Sequence, residues 1–426
     1  VIALDKKWDL IEDTEVMSSN LAEAAARKTD LPSVVVLGGD VIALSVVRCL
    51  GRRGIHVYVV NKLRHNKMVK ASRFCGTFIA VPQELNVQEF WSTYLLGEES
   101  KELHGSVLLA CNDDAIDMII NNKEKLEKKY ILDIMDKRAQ KCALDKLCTY
   151  ESALNAGVPT PRFSVVDYSQ RYNAITSEVS YPIIVKPVYS HLFQKKYPFK
   201  NLLAKNAGEL REVFDKIEGY EGEVILLEFI EGSDDKLCSY YTYIDQDGRP
   251  LFNYTKRIIR RYPINQGPAC YHITDRVDEI ENLSLRFFQS IGLRGLANAE
   301  FKLDSRDGKL KLIECNARFT GANGLLARNG LDLASLVYNR LAEIPQEIPS
   351  AFAQGKRLWD PEKDFKAFLE LRRRGEISSL EWLKSVMHPQ TFPYFAWDDP
   401  MPTVGVQTNT LARLMKKIYG KIVGYF

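Results

Sequence analysis

The chain predicts an α/β unit built on a parallel sheet, then an α+β unit of antiparallel strands and helices, then a helical extension. Three observations carry this. From Ser33, SVVVLGG reads as a buried strand, Asp40 to Arg53 as a helix and IHVYVV, from Ile55, as a second strand, the β-α-β order that favours a parallel sheet. Further on, ANAEFKLD, RDG and KLKLIECN read as strand, hairpin turn and strand. After Gly355 the apolar residues recur at helical spacing.

Residues 1–32 form a preface of mixed composition, helical in pattern from Leu21 to Lys28. The first unit spans 33–135. Gly54 stops its first helix, further strands fit Thr77 to Val81 and Ser106 to Ala110, and CNDDAIDMI enters another helix. Gly38 and Gly39 make a tight strand-to-helix turn without the spaced GxGxxG of dinucleotide binding, which disfavours a nicotinamide or flavin. The second unit spans 136–345. Lys141 to Ala156 reads as one helix ended by Gly157, and Pro159 to Pro161 makes an extended exit. A smaller subdomain follows at about 180–230, with strand YPIIVKP, a short strand at Leu203, a helix from Gly208 to Lys216 and strand EVILLEFIEG. SYYTYID and PLFNYTKRII alternate around a turn at Gln246 to Gly248, and residues 276–290 form a helix before the hairpin. The extension, 346–426, closes on TLARLMKKIYGKIVGYF, where Leu411, Met415, Ile418 and Ile422 lie opposite Arg413, Lys416, Lys417 and Lys421. Such a helix packs on the protein with a solvated basic side, or lies on an anionic membrane surface.

Composition narrows the function classes. The 426 residues are 46% hydrophobic and 27% charged, which excludes a disordered chain and an integral membrane protein. A formal charge of +3 calls for no nucleic acid. Eight cysteines stand singly, at 49, 75, 111, 142, 148, 238, 270 and 315, without zinc-type pairs, so free thiols in a reducing cytoplasm are expected. The opening VIALDKKWDLIEDTE is too acidic for a secretory signal, and no run is long enough for a membrane span. The expectation is a cytoplasmic protein free to meet the inner face of a membrane.

The final hairpin carries the clearest chemistry. Residues two apart on a strand share a face, so Glu314 and Asn316 point together and Glu300 reaches the same place from the neighbouring strand. Two carboxylates and an amide oxygen are hard ligands suited to magnesium held with ATP phosphates; acids facing solvent on an ordinary hairpin are the alternative. Cys315 alternates away, into the core. Arg318 offers a rigid donor fork to a transferred phosphate. Lys186 follows the apolar run PIIV and precedes Pro187, which fixes its stem and delivers its ammonium to the loop side; an exposed lysine at a strand end is the alternative. In LEFIEG, the backbone from Glu228 suits an adenine edge, Phe229 or Ile230 supplies apolar contact, and Glu231 can accept from ribose hydroxyls.

In this order, VVVLGG, LDKLCTYESALNAGVPTPR, YPIIVKP, LLEFIEG and IECNARF resemble the ATP-grasp superfamily across roughly residues 33 to 340. Within it the arrangement is similar to the biotin carboxylase and carbamoyl-phosphate synthase large chains, and closer to carboxylate-amine ligases such as the D-aspartate ligases. The resemblance implies a pre-ATP-grasp domain, an ATP-grasp fold and the helical extension. It also implies that Lys146 and Lys186 bind ATP phosphates, that Glu228 and Ile230 form the adenine hinge and that Glu231 binds ribose. Glu300, Glu314 and Asn316 would hold two magnesium ions, with manganese able to replace them, and Arg318 would steady the transferred phosphate. Where such enzymes often carry a glycine-rich loop, this chain reads PVYSHLFQKKYPFKN, so Ser190, His191 and lysine side chains stand in for backbone contacts. LEFIEG and IECNARF occur once each, unlike the duplicated carbamoyl-phosphate synthase chain.

The implied reaction joins a small-molecule carboxylate to an amine acceptor through an acyl-phosphate, with no serine or cysteine nucleophile. An acceptor on a cell-wall or surface-polysaccharide precursor would give the basic tail a use at a membrane. Substrate choice falls to TKRIIRRYPINQGPACYH and the loop after Asn316. Lys256, Arg257, Arg260 and Arg261 form a positive stretch, and alternation admits one of the last two; Arg260 is the catalytic candidate, ahead of His272 and Thr320, with a charged hairpin edge as the alternative. A carbamoyl-phosphate-synthase-like or small amino-acid ligase and an inactive ATP-binding scaffold are the competing functions. A homodimer is the expected assembly.

Overall fold

A computed structural model describes residues 31–167, 180–189, 193–194, 196–199 and 201–405. The run SVVVLGG opens a sheet of four parallel strands, β1 (Val34–Leu37), β2 (Val57–Asn61), β3 (Thr77–Ala80) and β4 (Val107–Ala110), in the order β3-β2-β1-β4. Both faces of β1 are buried, Val34 and Val36 in one core and Val35 and Leu37 in another, which is why the strand is apolar throughout. Helix α1 (Asp40–Arg52) follows a turn at Gly38, where φ is +84° and an added Cβ would stand 2.5 Å from Asn112 Oδ1. Glycine alone suits that position. Asn112 in turn caps helix α2 (Asp113–Asn121), accepting from the Ala115 amide at 2.9 Å, so the acidic first turn of α2 stands directly beyond the end of β4.

The single helix expected from Lys141 to Ala156 is two, α3 (Lys137–Leu144) and α4 (Lys146–Asn155). Asp145 breaks the run with φ −90° and ψ 113°, and its carboxylate caps α4 by accepting from the Cys148 amide at 3.0 Å. Lys146 thereby becomes the first residue of a helix. The expectation of eight separate thiols is corrected here, because Cys142 and Cys148 form a disulfide across the break with Cα atoms 5.1 Å apart. A continuous helix would hold residues six apart at about 9 Å along its axis, beyond the reach of that bond.

Four antiparallel strands make a small sheet, β5 (Phe163–Val166), β6 (Ile183–Pro187), β7 (Leu202–Ala204) and β8 (Val224–Glu228), ordered β5-β8-β6-β7. The helix Ala207–Lys216 covers it through Leu210, Val213 and Phe214. The largest sheet is also antiparallel: β9 (Leu237–Ile244), β10 (Tyr254–Arg261), β11 (Ala269–Thr274), β12 (Gly295–Leu303), β13 (Leu310–Asn316) and β14 (Arg357–Trp359), ordered β13-β12-β9-β10-β11-β14. Cys238, Tyr240, Ala297, Ala299 and Phe301 pack with Phe287 and Phe288 of helix α5 (Asp278–Ser290). Strand alternation leaves Ser239, Tyr241, Asn298 and Glu300 for the opposite face.

The extension supplies β14 to the sheet edge before its helices α6 (Pro361–Arg373) and α7 (Ser379–Val386). It then returns to the first unit, where buried Arg48 of α1 donates to Asp399 at 2.9 Å and to the Tyr394 carbonyl at 2.7 Å. Among the described residues no helix is long and apolar enough to cross a membrane. The helical pattern at Leu21 to Lys28 and the basic segment from Leu411 lie outside the described residues.

Candidate active site

Glu300 on β12 and Glu314 on β13 are direct cross-strand partners, and Asn298 pairs with Asn316 two residues along. The register skips Ile313, making a bulge between Glu300 and Phe301, and Tyr150 of α4 donates to the Ile313 carbonyl at 2.8 Å. The bulge changes the parity of β13: Leu312 and Cys315 both enter the core while Glu314 and Asn316 take the face of Glu300. Asn298 donates to the Tyr240 carbonyl at 3.0 Å and accepts from the Asn316 amide group at 3.1 Å. That chain turns the Asn316 carbonyl oxygen outward from the pair, so the set of two carboxylates and one amide oxygen fits a hard divalent cation.

Three cations surround these groups. Ile183 and Val185 of β6 face the small sheet's core, so alternation turns half-buried Lys186 toward α4. Burial pushes its amine down to about 8; Glu314 opposes that shift, while Lys146 and Arg261 add to it. Lys146, at the head of α4, lines a cavity with Glu314, Asp113 and Tyr150. Arg318 pairs with Asp113 at the N-terminus of α2, which ties the end of β13 to the parallel-sheet unit. Burial works against its charge, but Asp113, with Glu314 and Glu300, holds its pKa above the ordinary arginine value.

The segment after β8 forms a braced hinge. Lys302 of β12 donates to the Ile230 carbonyl at 2.9 Å and lies 5.2 Å from the centre of the Phe229 ring. The carboxylate of Glu228 is engaged by Arg162 at 3.1 Å and Arg306 at 3.0 Å. Burial would raise its pKa, yet the hydrogen bonds from Arg162 and the charges of Arg306 and Lys311 keep it below the usual range. Glu231 is exposed, and Gly232 ends the hinge at φ +116°.

No family model matches the chain. It is 26% identical over 295 residues to the D-aspartate ligase of Enterococcus faecium, covering 64% of this chain and 68% of that one. Over 186 residues it is 27% identical to D-alanine–D-alanine ligase B of Chromobacterium violaceum, 42% of this chain and 58% of the relative, so the match spans little more than half of that protein. The structure superposes on N5-carboxyaminoimidazole synthetase from Staphylococcus aureus complexed with ADP with a TM-score of 0.59 at 18% identity, covering 76% of this chain and 80% of the other. The chain has the ATP-grasp fold.

On the ATP-grasp framework, the sequence-derived candidates divide. Lys146, Lys186, Glu300, Glu314, Asn316 and Arg318 are brought around one cleft. Phe229, Ile230 and Glu231 follow β8 together, but the Glu228 side chain belongs to an ion-pair cluster and leaves only its backbone for a nucleotide. Ser190 and His191 lie outside the described residues. The catalytic expectation for Arg260 is corrected: irregular register on both sides of it lets its guanidinium pair with buried Asp364 of α6, at 2.6 and 3.0 Å. Arg261 takes the side of Lys186 and Lys302 instead, paired with Asp234 at 2.6 Å and influencing both lysines. Sequence reasoning also missed Lys302 and Asn298. Their two-residue spacing from Glu300 on β12 was a usable signal, since all three share one face.

Proposed function

We propose that this protein is an ATP-dependent, ADP-forming carboxylate-amine ligase that forms an amide bond through an acyl-phosphate. The observation supporting this most directly is the gathering of Lys146, Lys186 and Arg318, from three separate elements, around Glu314 and its strand partner Glu300. The similarity to ligases named for D-aspartate and D-alanine favours an amino acid as the acid substrate.

Glu300, Glu314 and Asn316 are the residues suited to hold two magnesium ions, or manganese in their place, whose chemistry is to neutralise the ATP phosphates. Lys302 braces the adenine hinge, and Glu231, exposed after β8, accepts from ribose in this reading. Lys146 and Lys186 bind phosphate oxygens and offset charge as a substrate carboxylate oxygen bonds to the γ-phosphorus and ADP leaves. Arg318, fixed by Asp113, orients the transferred phosphoryl group. The amine then attacks the acyl carbon, phosphate departs with the former carboxylate oxygen, and the ammonium proton passes to solvent.

The test is magnesium- and ATP-dependent phosphate release across amino acids and dicarboxylates, with hydroxylamine to trap the acyl-phosphate. An acid-dependent hydroxamate that disappears in Lys186→Ala and Glu314→Ala is expected. Tight nucleotide binding with no hydroxamate from any acid would overturn the ligase assignment.

A further inference from the structure

The Cys142–Cys148 bridge is the one disulfide among the described residues, and its surroundings differ from those of the free thiols. Cys49, Cys111, Cys238, Cys270 and Cys315 are buried. The bridge instead lines an open cavity of about 580 Å³, and Cys148 is only half-buried, so an incoming thiol can reach its sulfur. A disulfide reachable from solvent is the exchangeable kind.

The charge of the cavity says which thiol it takes. Lys137, Arg138 and Lys141 line it, all exposed. Its two acids are engaged by the protein: Asp136 accepts from the Ala139 amide at 2.8 Å, and Asp145 accepts from the Cys148 amide at 3.0 Å and from the Tyr189 hydroxyl. Three cations beside two occupied carboxylates favour an anionic thiol, and the volume suits a small molecule.

The same bridge bears on the cleft. It holds the break at Asp145 that makes Lys146 the first residue of α4, whereas the sequence from Lys141 to Ala156 supports one continuous helix. At the break the Lys146 amide donates to the Val188 carbonyl at 3.5 Å, two residues beyond Lys186. Tyr150, one turn further along α4, donates to the Ile313 carbonyl at the bulge beside Glu314.

We propose that Cys142–Cys148 is a thiol-exchange site for an anionic low-molecular-weight thiol, and that the closed bridge holds the ATP site in its binding form. The incoming thiolate bonds to Cys148 Sγ, the S–S bond breaks, and Cys142 leaves as a thiolate that takes a proton from water. The Ser152 hydroxyl, 3.6 Å from Cys142 Sγ and 3.8 Å from Cys148 Sγ, can donate to either departing thiolate. A second thiol molecule then displaces Cys148, so two small thiols become one disulfide and the protein gains two thiols. Without the bridge the helical run closes through Asp145 and carries Lys146 away from Lys186. This rests on the reading of Lys146 and Lys186 as ATP ligands and adds its regulation.

The experiment equilibrates the protein in mixtures of reduced and oxidised glutathione, quenches with an alkylating agent and reads the bridge by mass spectrometry. Calorimetry gives the Kd for magnesium-ATP in the closed and opened states. The bridge should open while the buried cysteines stay unalkylated, with the mixed disulfide found on Cys148. Opening should raise the Kd by roughly 5- to 150-fold, the ordinary span of a linked equilibrium. Because linkage is reciprocal, saturating magnesium-ATP should shift the glutathione ratio at half-opening by the same factor. Cys142→Ser/Cys148→Ser should bind ATP as the opened wild type does, whatever thiol is present. The rate of opening by glutathione relative to uncharged mercaptoethanol should fall in Lys141→Glu. An equal Kd in the two states, a bridge that opens only on unfolding, or an unchanged rate ratio in Lys141→Glu would overturn the proposal and leave the ATP site standing. Failure to bind ATP in either state would remove the ATP reading itself.

Discussion

Arg260 tests whether the β10 irregularity has been understood. Its guanidinium is 5% exposed and Asp364 is fully buried, joined through Nε to Oδ1 at 2.6 Å and Nη2 to Oδ2 at 3.0 Å, with Trp382 Nε1 donating to the same carboxylate at 2.9 Å. Removing one member of such a pair leaves the other as a buried charge and costs roughly 3–5 kcal/mol. Asp364→Asn strands the guanidinium, and Arg260→Met strands the carboxylate. The double variant Arg260→Met/Asp364→Leu strands neither and should lose less than the sum. For a cooperative unit of about 200 residues, each single change should lower the melting temperature by on the order of 10 °C. Thermal unfolding followed by circular dichroism measures this, while steady-state kinetics well below the transition should give kcat/KM within about threefold of wild type for Arg260→Met. An unchanged melting temperature with a hundredfold loss of kcat would refute the reasoning and return Arg260 to the substrate.

Three other outcomes follow from the site. Because Lys186 titrates near 8 when folded rather than at 10.5, nucleotide affinity of the free enzyme should fall about tenfold per pH unit above 8, and Lys186→Arg should flatten the profile; a flat wild-type profile to about pH 9.5 would contradict this. The sign for stability is opposite, since between those two values the unfolded chain holds more protons, so chemical denaturation of the apoprotein should show this residue's contribution rising with pH. Lys302→Met should raise the KM for ATP about tenfold by releasing the Ile230 carbonyl, with the KM for the acid unaltered; an unchanged ATP KM would remove Lys302 from the hinge. Asn298→Leu should raise the magnesium concentration for half-maximal activity by about tenfold, because Asn316 loses the partner that orients it; an unchanged requirement would show that Asn298 does not position the ligand.

Much of the site was legible because strand alternation is a strict local rule. It placed Glu314 and Asn316 together, with Glu300 opposite, and turned Cys315 into the core. The same rule fails silently at a bulge. Nothing in KLKLIECN marks Ile313 as an extra residue, and without it Leu312 would share the face of Glu314. At Arg260 and Arg261, local pattern said only that the two diverge; which one faces Lys186 depends on Asp364 and Asp234, distant in the chain. Asp145 was a legible helix cap, but a helical pattern running through it hid the break, and with it the approach of Cys142 to Cys148. The strand β14 is three residues long and is held by β11, a partner no local pattern names.

Transfer of a carboxylate oxygen to phosphate tests the acyl-phosphate directly. The acid substrate identified by hydroxamate formation is labelled with oxygen-18 in its carboxylates and turned over with ATP, magnesium and an amine, and the released phosphate is examined by mass spectrometry. The account predicts one labelled oxygen in each phosphate formed. Unlabelled phosphate accompanying amide formation would contradict it, because the carboxylate oxygen would then never have been bonded to phosphorus.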